Sequence, residues 1–207
     1  MALRPKSSKS RRAGAKPNGE VTRKPRRSIL FSAWTGEEYG DLGSKHWLQH
    51  PTWPLEKVAA NINYDGIGTD VWGKLTFILD LNFDQSDLNG VVKGVAAASG
   101  VEIVSDTSGE EVFYRSDHYE FIKSGIPAIF LIGGPGEDIT DRAQKFLTTD
   151  YHMPTDIVQP DWNWEGARML TAFGLITGMR IANQEAIPAW KTDSPHKRPR
   201  GARTLTR

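Results

Sequence analysis

The chain has 207 residues, 38% hydrophobic content with seven Trp and eight Phe, and no cysteine. That suits one domain with a sizeable core, and it excludes disulfides, thiol nucleophiles and thiolate metal sites, so any metal must be held by His and carboxylates. The formal charge of +1 hides a partition: residues 1–27 carry ten Lys/Arg against one Glu, residues 28–190 ten against 23 Asp/Glu, and residues 191–207 six against one Asp.

The flanks 1–27 and 191–207 lack the apolar residues that would offset ordering entropy, and both are predicted to be disordered basic tails around an acidic body at 28–190. Without aromatics to stack on bases or a recognisable motif, their charge does not amount to a specific nucleic-acid function. No apolar run approaches the ~20 residues of a membrane helix, and the basic N-terminus lacks the apolar core of a secretory signal. These features imply no membrane partner and leave the compartment open.

Within the body, residues 28–34 read as a strand that ends in the turn Thr35-Gly36. Residues 42–49 suit a short helix closed by the turn around Pro51 and Pro54. Residues 58–64 read as a second strand ending at Asp65-Gly66, and 75–79 as a third. Leu88, Val91, Val92, Val95 and Ala96 recur at helical spacing within 86–99, with Gly100 placed as a C-cap. A brief strand at 101–104, a short helix at 116–123 and a buried strand at 127–132 follow. Residues 133–161 lack strong periodicity and read as a long loop, which in a compact domain is usually functional or disordered. Residues 164–182 close the body as an amphipathic helix. The alternation predicts an α/β fold: a mixed, mainly parallel sheet flanked by helices on both faces.

Glu37 and Glu38 follow the first predicted strand at the point where open α/β sheets place their chemistry. Asp65 occupies the corresponding position after the second, and His152 lies in the long loop. Two readings of the adjacent glutamates stand: a solvated acidic turn, or a pair in which one carboxylate binds a metal while the other reaches a water. Carboxylate and imidazole suit zinc when thiolates are absent. The cluster Arg115-Ser116-Asp117-His118 reads either as a helix N-cap, for which Ser116 is well suited, or as part of a site.

Four stretches together resemble the co-catalytic di-zinc aminopeptidases, whose relatives include glutamate carboxypeptidase and the non-catalytic transferrin-receptor ectodomain. They are residues 27–44 (RSILFSAWTGEEYGDLGS), 60–68 (ANINYDGIG), 114–132 (YRSDHYEFIKSGIPAIFLI) and 150–156 (DYHMPTD). Their order and spacing match the family across residues 27 to about 185. The resemblance implies that Glu37 is the general base, Glu38 and His152 ligands of one zinc, Asp65 a ligand of the other, and Tyr151 the hydroxyl that hydrogen-bonds the oxyanion. The implied reaction is hydrolytic removal of the N-terminal residue of a peptide or protein substrate.

The resemblance also implies a gap. The family's other zinc residues, a histidine with an orienting aspartate and a bridging aspartate, precede the first strand, whereas residues 1–27 contain no His and no Asp. Catalytic zinc normally has three protein ligands, so weak or incomplete zinc binding and impaired turnover are expected. The N-terminal strands of the family fold are expected to be missing, leaving an exposed edge at 28–34 open to self-association. A truncated or misread gene and a non-catalytic pseudo-peptidase that serves as an interaction module both fit this reading.

Overall fold

Strands form here where β-branched runs find a neighbour, and helices where apolar residues recur every third or fourth position. The computed structural model describes residues 24–65, 71–81, 83–105, 113–135 and 139–201. Residues 1–23 and 202–207 of the two expected tails lie outside them.

In chain order the helices are α1 (Leu42–Gln49), α2 (Leu88–Ser99), α3 (His118–Lys123), α4 (Ile139–Thr149) and α5 (Glu165–Asn183). The strands are β1 (Asn61–Asn63), β2 (Phe77–Asp80), β3 (Glu102–Ser105), β4 (Ala128–Phe130) and β5 (Gly133–Gly134). β1 pairs in parallel with β4, with Ile62 opposite Ile129. β2 sits between a parallel β3, with Ile78 opposite Ile103, and an antiparallel β5. The protein is therefore mixed α/β, with its described strands divided between two small sheets. None of its described helices is long and apolar enough to cross a membrane.

The core forms where α2 packs against α5 and against β3. Leu88, Val92, Val95, Ile78, Ile129 and Phe173 are buried there. α2 ends as its sequence predicts, with Gly100 at φ 64° as the left-handed cap and its N–H donating to the Ala96 carbonyl. α3 packs on β1, β4 and α1, so the short helix links both site-bearing loops to the parallel strand pair.

Three expectations are corrected. Residues 28–34 form no ladder among the described residues, and Ile29, Leu30 and Phe31 are 39%, 61% and 84% exposed. A strand requires a neighbour to satisfy its backbone, and apolar sequence alone does not supply one. The segment is instead held at its ends. Arg27 donates through its backbone N–H to the Ala182 carbonyl and through its guanidinium to the carbonyls of Ile181, Gln184 and Glu185, at the open end of α5. At the other end Trp34 packs on Trp47 and Phe121, each at 6.0 Å between ring centroids.

Second, the long loop at 133–161 contains β5 and the helix α4. Most of α4 is exposed, and its apolar residues at 139, 143, 146 and 147 keep helical spacing among many polar ones. Third, residues 191–201 of the expected C-terminal tail pack on the body. Ser194 and His196 are buried, and the Arg200 guanidinium donates to the carbonyls of Val58, Ala59 and Pro188. Backbone carbonyls, rather than apolar burial, provide the partners that the composition did not reveal.

That packing makes Gly125 a test site. Gly125 sits at φ 78°, and a Cβ there would stand 2.4 Å from the Pro199 carbonyl oxygen. Gly100 is also left-handed, but a Cβ there would meet open space. Gly100→Ala is expected to cost about 1 kcal/mol for its backbone alone. Gly125→Ala should cost about 3 kcal/mol, because backbone must move as well. Urea midpoints measure the difference, and faster tryptic cleavage after Lys197 and Arg200 should accompany the second change. Equal costs would contradict the packing.

His118 provides a pH test. The residue is fully buried against Phe113 and Phe130, and its ring nitrogens make no well-formed hydrogen bond. Burial pulls its pKa from 6.5 to about 4, opposed by the backbone of Phe113. The unfolded chain therefore binds this proton more readily, and stability should fall as pH drops from 6.5 towards 4, by up to roughly 3 kcal/mol. His118→Phe should flatten that limb in urea melts at pH 4–7. An unchanged limb would show that the imidazole is not buried neutral.

Candidate active site

The turn that carries the paired glutamates is wound by its own backbone. Gly40 and Asp41 both donate to the Glu37 carbonyl at 2.8 and 2.9 Å, Leu42 donates to Gly36 at 3.1 Å, and Gly43 donates to Thr35 at 2.8 Å. Gly36, Gly40 and Asp41 all take positive φ to make this possible. α1 begins directly from this turn.

Within it, Glu37 lies beside several like charges. Its pKa is raised from 4.5 to about 7, first by burial and then by the neighbouring carboxylates of Asp65, Glu38, Asp41 and Asp117. A carboxyl group poised near neutrality in such surroundings has the character of a general base.

Asp65 follows β1 by two residues. The residue before it, Tyr64, donates its hydroxyl to the Leu170 carbonyl of α5 at 3.3 Å, and burial pushes its pKa up to about 12. The Tyr64 hydroxyl occupies the space that a side chain at Gly174 would take. The end of β1 is thus pinned to the last helix.

His152 comes from the opposite end of the domain sequence. α4 ends at Thr149, and the chain turns through Asp150, whose carboxylate accepts from the Thr149 hydroxyl at 2.7 Å. His152 takes φ 60° in that turn, an uncommon conformation for a non-glycine residue. Its Nε2 stands 2.6 Å from Glu38 Oε1. Tyr151 stacks on the same imidazole at 3.8 Å between ring centroids. The Tyr151 hydroxyl has its pKa raised by burial first and then by Glu38, Asp65 and Glu37, with Arg115 opposing. The helix anchors this turn: Phe146 packs on Tyr151 and on Trp72, and Arg142 lies over the Trp72 ring at 4.8 Å.

All five residues singled out in the sequence therefore lie around one locus. Glu38, His152 and Tyr151 touch in a chain, and Glu37 and Asp65 act on them and on each other electrostatically. At 2.6 Å the carboxylate oxygen and the imidazole nitrogen form a hydrogen-bonded pair; both residue types suit zinc, which would require them to move apart. Among the described residues no group of three or more His, Asp or Glu residues comes together to hold a metal. Two donors fall short of the three that a catalytic zinc normally has.

Ser116 does not cap α3. No side-chain cap bond forms there, and the Ser116 hydroxyl instead accepts from Asn63 Nδ2 at 2.7 Å. Asp117, beside it, joins the carboxylate group around Glu37. The sequence offers Arg115–His118 as a cap or a site and singles out no separate role for Asp117. The signal available was its place in a motif that returns to the parallel strand pair.

Comparison with known proteins gives the family. The Peptidase family M28 profile matches residues 15–174. An aminopeptidase of Pseudomonas aeruginosa (strain UCBPP-PA14) is 32% identical over 134 residues, covering 59% of this chain and 24% of the relative. Leupeptin-inactivating enzyme 1 of Streptomyces exfoliatus is 31% identical over 124 residues, covering 58% and 26%. A probable glutamate carboxypeptidase of Arthroderma benhamiae is 26% identical over 175 residues, covering 80% and 24%. The chain thus spans about a quarter of the length of these relatives. No solved structure matches it significantly. With the family profile spanning both the glutamate turn and the histidine turn, this chain belongs to peptidase family M28.

Proposed function

We propose that the chain carries the proton-transfer part of an aminopeptidase centre, acting on the N-terminal residue of peptide or protein substrates. The observation that carries this reading is the contact between Glu38 and His152. Residues far apart in sequence meet at 2.6 Å beside a carboxyl group tuned to about 7. The relatives named as aminopeptidases support the same reaction class.

In this reading Glu37 accepts a proton from the attacking water and returns it to the leaving amine, for which a pKa near the working pH is well matched. Tyr151 keeps its proton at neutral pH, since its pKa is pushed upward, and its hydroxyl donates to the oxyanion that develops on the scissile carbonyl. Glu38 and His152 would hold one zinc and Asp65 would be a ligand of the other, the ions supplying Lewis-acid polarisation of the scissile carbonyl. A third donor does not join the pair among the described residues, so zinc would be held weakly there. The same shortfall favours a second reading, in which the fold serves as a non-catalytic interaction module.

Hydrolysis of aminoacyl-nitroanilides separates the two readings, because only the first expects zinc-dependent turnover. Glu37→Gln should then reduce the rate by about three orders of magnitude while leaving zinc uptake unchanged, since the lost group carries a proton and is not a ligand. A variant that retains its rate would remove Glu37 from this role. Calorimetric titration of the purified chain should give weak zinc binding, and both Glu38→Gln and His152→Ala should eliminate it. Two tightly held zincs per chain would overturn the two-donor count.

A further inference from the structure

Ser116 and Asp117 stand where the two carboxylate-bearing turns approach each other, and both are buried, at 2% and 6% exposure. Asn63, the last residue of β1 and two before Asp65, is also buried and donates its Nδ2 to Ser116 Oγ at 2.7 Å. On the other side is Ser44, fully buried in the first turn of α1. The Ser44 hydroxyl and backbone N–H face the Asp117 carboxylate and hold its pKa down against burial, and α1 packs on α3 here; the hydroxyl donates to the Asp41 carbonyl at 3.2 Å.

The first turn of a helix leaves backbone N–H groups without internal partners, and α1 receives no side-chain bond from its own N-cap, Asp41. A carboxylate at that position satisfies an orphan donor and opposes the positive end of the helix dipole. Asp117 does for α1 what the local sequence does not. Because α1 grows directly out of the Thr35–Asp41 turn, fixing its first turn fixes Glu37 and Glu38. The second oxygen, Asp117 Oδ1, is buried without a hydrogen-bond partner, and the carboxylate feels both Asp65 and Glu37. Burying a carboxylate oxygen unpaired beside like charges is unfavourable, and a neutral residue would be cheaper if only packing mattered.

We propose that Ser116 and Asp117 are positioning residues, a junction that sets the Glu37–Glu38 turn and the Asp65 end of β1 at a fixed separation, Asp117 through Ser44 and Ser116 through Asn63. The proposal deepens the aminopeptidase reading and rests on it for the meaning of those carboxylates. The junction has two independent arms, so its parts fail separately.

Amide hydrogen exchange on the full chain tests this without metal or turnover. Asp117→Ala should speed exchange in residues 35–44 on the order of tenfold, as expected for a lost buried hydrogen bond. Ser116→Ala should do the same for residues 61–65. Neither should alter α2, which lies away from the junction. At one fixed pH, the His152 ring resonances of Asp117→Ala should move towards those of Glu38→Gln, because Glu38 no longer sits against the imidazole. Asp117→Asn, which keeps an acceptor for Ser44, should restore both readouts.

Uniformly faster exchange, including α2, would show a merely structural role and overturn the proposal. Unchanged exchange in 35–44 together with wild-type His152 signals would do the same. If Asp117→Ala fails to fold, the Ser116→Ala and Asp117→Asn arms still decide it. A chain that holds no zinc and turns over no substrate would remove the peptidase reading while these exchange patterns stood.

Discussion

Like charges packed together at the end of a strand are the constraint on which this structure depends. Glu37, Glu38, Asp41, Asp65 and Asp117 influence one another closely enough that Glu37 is driven towards neutrality. An assembly of this kind disperses unless the backbone holds it. The protein supplies that hold through hydrogen bonds of the turn at 35–43, through the tyrosine hydroxyl on α5, and through cationic neighbours at the margin. Lys45 illustrates the last: it lies 3.8 Å from Asp41 and 3.5 Å from the buried Glu120, which also pairs with Lys123. Cations at this margin limit repulsion without neutralising Glu37 itself.

The same constraint separates what the sequence reveals from what it hides. α1, the C-cap of α2 and the place of Asp65 just after β1 are legible because each depends on local chemistry: a glycine turn, a helical apolar stripe, a short extended run. Glu37, Glu38, Asp65, Tyr151 and His152 were identifiable because their surroundings are motifs carried by short stretches of chain. The ladder expected at 28–34 depends on a neighbour elsewhere, which no local pattern discloses. α4 is hidden for a different reason: its apolar residues at 139, 143, 146 and 147 keep helical spacing, but polar residues dominate the stretch. The order of residues 191–201 rests on long-range contacts that composition does not encode, among them the Arg200 guanidinium on three carbonyls, Gly201 on the Ser124 carbonyl and His196 on Phe113 and Trp190.

α4 also changes how the histidine turn is understood. A loose loop would leave His152 free to wander, whereas the helix delivers it through Phe146, Tyr151 and the bonded Asp150. The left-handed backbone at His152 is then maintained by its surroundings, as strained conformations at functional sites generally are. One rigid element replaces many weak restraints, and the imidazole reaches Glu38 with little freedom left to lose.

Arg27 has a consequence for architecture. By bonding the last carbonyls of α5, it brings residue 27 and residues 181–185 to the same place. The polypeptide enters and leaves the segment between them through a single doorway. A unit closed in this way can be spliced into a larger protein, or have its connections rewired, without either flank being stretched.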